Sequence, residues 1–184
     1  MTLMRQFFAS VLEVVEVLAV AVGAVFLIRN FLVQPFLVSG ASMIPNFENG
    51  DYLLVDEITY RFRPPERGEV VVFKYPKDPS TYFIKRIIGL PNERVEIKNN
   101  HVTVFGDDNL SRVLGENYLP GSIATAGNEE FKLKPDEYLM LGDNRSFSFD
   151  SRSWGALKKE NIVGFVRLRL WPLNELRAFA APQY

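Results

Sequence analysis

The strongest constraint on this chain lies near its start. From Phe7 to Val38 it carries only three charges, Glu13, Glu16 and Arg29, and the run "VLAVAVGAVFLI" from Val17 to Ile28 is apolar apart from its glycine. That run alone is shorter than the roughly 20 residues a bilayer span needs. Extending it to 14–33 supplies the length, with Glu16 near one end and Arg29 placed to snorkel at the other. A cleavable signal peptide would show a basic start and a small-residue cleavage site after the apolar run. Here "LIRNFLVQPFLV" follows instead, which favours a retained single-span anchor. Arg5 on one side is balanced by Arg29 on the other, so charge bias leaves the orientation open.

Beyond the anchor, β-branched runs of strand length dominate: "YLLVDEI", "EVVVFKY", "YFIKRIIG", "RVEIKN", "HVTVF", "EYLMLG" and "IVGFVRLRLW". In "VRLRLW" the alternation puts Val166, Leu168 and Leu170 on one face and Arg167 and Arg169 on the other. "LKKENI" has room for one helical turn. Residues 99–130 are polar and loop-rich, and read as a small insertion. The expected fold is mainly β: an antiparallel β-sheet core with a small β-rich insertion, preceded by one N-terminal transmembrane helix. The divisions are 1–13 for a short leading segment, 14–33 for the anchor, 34–98 and 131–184 for the two parts of the core, and 99–130 for the insertion.

Composition then removes most chemistries. The 184 residues hold no cysteine, which excludes disulfides, thiol nucleophiles and zinc–thiolate sites. One histidine, His101, excludes a multi-histidine metal site, and its setting between Asn100 and a short alternating run reads as an exposed hairpin position. With 21 basic and 22 acidic residues and no basic stripe, nucleic-acid binding has little support. A hydrolytic site here draws on carboxylates, on metal-bound oxygens or on serine with lysine.

Three stretches carry that possibility. In "GASMIP", Gly40 and Pro45 constrain a turn around Ser42; the residues alone leave Ser42 open between a nucleophile and a loop serine bonded to its own backbone. Among eight lysines, Lys85 in "YFIKRIIGLP" has the most apolar neighbours, as a lysine base held neutral by burial requires; the pattern equally fits a charge on a strand face. The segment "GDNRSFSFDSRSWG", 142–155, packs Asp143, Arg145, Ser148, Asp150 and Arg152 among aromatics, with Asp150 and Arg152 two apart and able to pair.

Together these stretches resemble the type I signal peptidases, membrane-anchored serine–lysine proteases. "GASMIP" resembles the family's nucleophile motif, with Met43 and Pro45 in their places, and "RGEVVVFKYP", "YFIKRIIGLPNE" and "GDNRSFSFDSRSWG" follow in the family's order. The likeness runs from the anchor to "LRLWP". It implies Ser42 as nucleophile, Lys85 as general base and Ser148 as the group that holds the lysine amine. It further implies an Asp150–Arg152 ion pair, Asp143 with Arg145 ordering the same loop, and the Ser42 N–H as oxyanion donor. Some members add a second oxyanion donor from a serine at the place of Gly40, which has no hydroxyl, and Asn46 stands where a threonine is usual. The implied partners are signal peptides of exported preproteins, the lipid bilayer and the secretion translocon, with the catalytic domain on the extracytoplasmic face; no cofactor and no metal are implied. A self-cleaving Ser–Lys protease is a rival, but 35 anchor-like residues stand where its DNA-binding helices belong. The penicillin-recognising pattern Ser-x-x-Lys is absent. A catalytically inactive, membrane-anchored binding relative is the other rival, and Ser42, Lys85 and Ser148 together weigh against it.

Overall fold

The computed structural model describes residues 2–31, 33–106, 110–121 and 123–182. One helix, α1 (Thr2–Phe31), takes in both the leading segment and most of the expected anchor. At 1.5 Å per residue it is about 45 Å long. Its boundaries differ from 14–33 at both ends: it begins at Thr2, and Val33 already belongs to a strand. Among the described residues, no helix is long and apolar enough to cross a membrane. The side chains of 24–31 and of Val33, within the expected anchor, lie outside the described residues. What is described stands bare: Leu12, Val17, Val20 and Val22 are all more than half exposed.

The rest is antiparallel β. Strands β1 (Val33–Leu37), β2 (Tyr52–Asp56), β3 (Val70–Tyr75), β4 (Asp78–Gly89), β5 (Arg94–Lys98), β6 (His101–Phe105), β7 (Ser111–Val113), β8 (Glu129–Lys132) and β9 (Glu137–Leu141) precede a short helix, α2 (Ser151–Trp154). Strands β10 (Leu157–Lys158), β11 (Ile162–Trp171) and β12 (Arg177–Ala178) follow it. The main sheet runs β1-β2-β11-β3-β4-β9-β10, with β12 also on β11, and a second sheet runs β7-β6-β5-β8. Each run quoted above forms a strand. The second sheet begins at Arg94, ahead of residue 99, and draws β7 and β8 from sequence too polar to signal strands. "LKKENI" becomes β10 followed by one 3-10 turn, Lys159–Asn161. The β5–β6 hairpin turns at Asn99 and Asn100, both with positive φ (52° and 65°), the geometry that asparagine tolerates best after glycine.

The two faces of the main sheet pack different cores. Val38, Met43, Phe47, Leu53, Val55, Val70, Val72 and Val166 fill one. Val71, Phe73, Ile87, Tyr138, Met140, Leu157 and Phe165 fill the other. A third cluster, including Val95, Ile97, Val102, Leu139 and Leu141, joins the second sheet to β9.

The alternation expected of "VRLRLW" fails at its end. A bulge between Val166 and Leu168 shifts the register of β11 on β2. A one-residue slip turns every later side chain to the other face. Arg169 is therefore buried, pairing with Asp51 at 3.0 Å and with Glu175, while Leu170 faces outward.

Candidate active site

Ser42 sits in a turn fixed at three points. At its entrance, Gly40 takes φ +100°, a conformation that side chains with a Cβ rarely adopt, and its N–H donates to Asn49 Oδ1 at 3.0 Å. Behind the serine, Met43 and Phe47 are buried in the core, and the Asn46 and Phe47 N–H groups both donate to the Met43 carbonyl at 3.0 Å. Across from it, Asn144 donates from its backbone N–H to Ser42 O (3.0 Å) and from its side-chain amide to Ala41 O (2.9 Å). With its neighbours pinned inward, the Ser42 side chain is left to project into the cleft. Pro45, after a cis peptide bond, lies exposed on the far side of the turn.

Lys85 reaches the serine from β4, where it pairs with Val71. Only 4% exposed, it places Nζ 2.7 Å from Ser42 Oγ and 2.8 Å from the Ile84 carbonyl oxygen. Burial pushes the lysine pKa down from 10.5 to about 8, against the pull of the Asp150 and Asp143 carboxylates, which favour the ammonium. In the neutral amine one N–H is used by Ile84 O, and the lone pair is available to accept the Ser42 proton. A base within hydrogen-bond reach of a hydroxyl, neutral at mildly alkaline pH, can generate an alkoxide-like nucleophile.

The 142–155 loop joins this pair, with partners that differ in part from those expected. Asp150 and Arg152 pair as expected: Nε to Oδ1 and Nη2 to Oδ2 are both 2.8 Å. Asp150 Oδ2 also accepts from the Gly142 N–H at 3.0 Å, and Arg152 donates to Arg145 O at 2.6 Å. Asp143, by contrast, takes its cation from Arg86, not from Arg145. Arg86 Nε and Nη2 reach its two oxygens at 2.8 and 2.6 Å, and Asn46 Nδ2 adds a third bond at 2.8 Å. Arg145 turns the other way, toward Glu116, Thr125 and the Tyr118 hydroxyl, and donates from Nε to Gly142 O at 3.0 Å. Its side chain is fully enclosed. The hydrogen bond expected from Ser148 to the lysine amine is not formed: Ser148 Oγ is buried without a partner among the described residues. It lies instead against Gly142, where a Cβ would come within 2.1 Å of it and 2.5 Å of Ser42 O. No side chain larger than glycine's fits between Ser148 and the nucleophile turn.

Sequence reasoning therefore missed Arg86, Asn144, Glu116, Tyr118 and Thr125, and took Asn46 only as a departure from pattern. Gly40 supplies no oxyanion donor, since its N–H is committed to Asn49. No protein group among the described residues accepts from the Ser42 N–H. His101 opens β6 in the other sheet, exposed and opposite Lys98.

The pair opens into a cleft of ≈ 300 Å³, walled by Phe36, Val38, Leu53, Val72, Tyr82 and Ile84. Among the described residues no strand pairs with one flank of β4 before Arg86, where its pairing with β9 begins opposite Leu141.

Residues 11–171 match the family described as signal peptidase, peptidase S26. The chain is 35% identical over 182 residues to the signal peptidase I of Leptolyngbya laminosa, covering 95% of this chain and 86% of that one. It is 37% identical over 167 residues to a probable signal peptidase I-2 of Synechocystis, covering 88% and 74%. A crystal structure of a signal peptidase I from Enterococcus faecalis aligns with a TM-score of 0.47 at 25% identity, over 56% of this chain and 97% of that one. With most of its length matched and the serine–lysine pair in one cleft, the chain belongs to the signal peptidase family, peptidase S26.

Proposed function

We propose that this signal peptidase, a serine endopeptidase that removes signal peptides from preproteins, works through Ser42 and Lys85. The observation that carries the reading is the 2.7 Å separation of Ser42 Oγ from a buried lysine amine. Ser42 Oγ attacks the scissile carbonyl carbon while its proton passes to Lys85 Nζ, and the carbonyl π electrons move onto oxygen. The Ser42 N–H stabilises that oxyanion. Lys85 then gives the proton to the departing amine as the C–N bond breaks. Water, deprotonated by the same amine, hydrolyses the acyl-enzyme. Ser148, Asp150, Arg152, Asp143 and Arg145 are positioning residues that hold the loop against the nucleophile turn.

The substrate binds as a strand on the open flank of β4. Its first and third side chains before the cut then enter the Val38–Leu53–Val72–Ile84 face, where small side chains are expected. The apolar run 17–28 of α1 acts as a membrane anchor, since a stretch of helix apolar on all sides needs lipid or protein around it. It holds the catalytic domain on the extracytoplasmic face, near emerging preproteins and their translocon. The second sheet serves as a buttress: Glu116, Tyr118 and Thr125, in the connection between its strands β7 and β8, hold Arg145.

Cleavage of a synthetic preprotein by the purified full chain tests the reading. Ser42→Ala and Lys85→Arg are both expected to abolish it, because guanidinium cannot give up its proton in this range. Turnover by either variant would exclude the pair as the catalytic machinery.

A further inference from the structure

We propose that Phe83, Phe147 and Phe149 form a second, unassigned substrate subsite, one that takes a large apolar side chain at the second position before the scissile bond. The inference rests on the strand-addition reading above and extends it to the opposite face of the sheet.

The argument begins with the parity of β4. Ile84 pairs with Val72 and packs on the cluster of Val38 and Leu53, and Tyr82, in phase with it, packs against the Phe36 ring, tilted at 53° with centroids 5.5 Å apart. Phe83 and Lys85 face the other way, Phe83 meeting Phe73 edge-on at 6.1 Å. A peptide strand added to the free flank keeps this alternation. If its first and third side chains enter the Ile84 face, the second points to the Phe83 face.

That face is occupied by the catalytic loop. Phe149 stands edge-on to Phe83 at 6.4 Å and to Tyr75 at 5.9 Å, yet is 52% exposed. Phe147 is 80% exposed, and both rings line the cleft that holds Ser42 and Lys85. Their placement relative to the nucleophile is fixed by backbone. The Phe147 N–H donates to Asn144 O at 3.0 Å, and Asn144 in turn grips Ala41 and Ser42. Two exposed aromatic rings at a fixed position beside the dyad gain by covering apolar surface, and they offer nothing to a carboxylate. The ligand class is therefore an aliphatic or aromatic side chain.

The test uses the full chain in detergent and four peptides with alanine at the first and third positions before the cut. The second position is Ala, Leu, Phe or Asp. Leu and Phe are expected to exceed Ala in kcat/KM by about tenfold, through KM, the discrimination that a few methylenes in an apolar site provide. Asp is expected to fall below Ala. In Phe147→Ala with Phe149→Ala the Leu-to-Ala ratio drops to about one. Phe147→Ala alone, at a largely exposed position that keeps the fold, lowers it part of the way. A ratio near one in the natural chain, or a ratio unchanged in both variants, overturns the subsite. A fifth peptide, with Phe at the first position, separates the two levels. Its rejection alongside indifference at the second position removes only the subsite, whereas its cleavage removes the strand-addition reading beneath it.

Discussion

The pH dependence of cleavage is the most direct consequence of the Lys85 environment. Only the neutral amine can accept the Ser42 proton, and burial brings the lysine pKa from 10.5 to about 8. At pH 7 a lysine titrating at 10.5 is neutral about 0.03% of the time, and one titrating at 8 about 10% of the time. Burial therefore raises the competent fraction about 300-fold. The sign is fixed: a depressed base pKa gives activity that rises with pH. Log kcat/KM is expected to climb with a slope of about one per pH unit below pH 8, bend near 8 and reach a plateau near 9. The assay is kcat/KM for a soluble peptide from pH 6 to 10, with checks that the protein stays folded. A midpoint near 10.5 would mean that the amine is not desolvated in solution. A midpoint that moves with substitution of His101, or a flat profile, would exclude Lys85 as the base.

Further expectations follow from the same geometry. Lys85→Met removes a group that burial forces toward its neutral form. The variant is expected to be inactive but more stable by up to about 3 kcal/mol at neutral pH, less what its two hydrogen bonds contributed. The natural protein binds fewer protons folded than unfolded between pH 8 and 10.5, so its stability rises there and the advantage of Met closes; urea titrations at pH 7 and 10 decide this. Asp150→Asn removes the charge that most favours the ammonium, so the activity midpoint moves below 8 as the plateau falls; a shift upward would contradict the assignment. Asp150→Ala and Arg152→Ala act on one bidentate pair, and kcat/KM of the double variant is expected to fall far short of the summed losses. Glu116→Gln leaves the enclosed Arg145 without its counter-charge, at a cost of about 3–5 kcal/mol in a melting or denaturant assay.

The legible parts of this protein are those written locally. Strand runs with turn residues between them appear as strands, and Ser42 and Lys85 lie in short motifs whose chemistry the absence of cysteine and the single histidine already narrowed. The loop pair Asp150–Arg152 is two residues apart and was readable for the same reason. The partners of Asp143 and Arg145 were not. Arg86 lies 57 residues from Asp143, and Glu116 lies 29 from Arg145, in sequence with no strand or helix signal. The resemblance implied only that Asp143 and Arg145 order the same loop, and each does so through a partner from another element. Arg169 was misread for another reason. Strict alternation assumes an unbroken ladder, and the bulge at Val166–Leu168 is a property of pairing with β2. One side of β4 was informative in retrospect: an arginine directly after a buried lysine has to satisfy its charge on the opposite face.

The ion pairs of the loop explain how a lysine can be held near neutrality beside two aspartates. A bare carboxylate near Lys85 would stabilise its ammonium and undo the effect of burial. Neither acid is bare. Asp143 is neutralised by the Arg86 fork and bonded by Asn46, and Asp150 by the Arg152 fork and the Gly142 N–H. Both acids still favour the ammonium, Asp150 ahead of Asp143, but less than bare carboxylates would, and desolvation remains the largest influence on Lys85. The same bonds carry the geometry. Arg86 follows Lys85 on β4, so the Asp143 fork ties the base-bearing strand to the loop, while Asn144, next in sequence, ties the loop to the serine turn. One segment thus limits the charge that the amine experiences and sets its distance from the hydroxyl. This accounts for the density of charge in "GDNRSFSFDSRSWG", since acids placed there to fix position would suppress catalysis unless their arginines came with them.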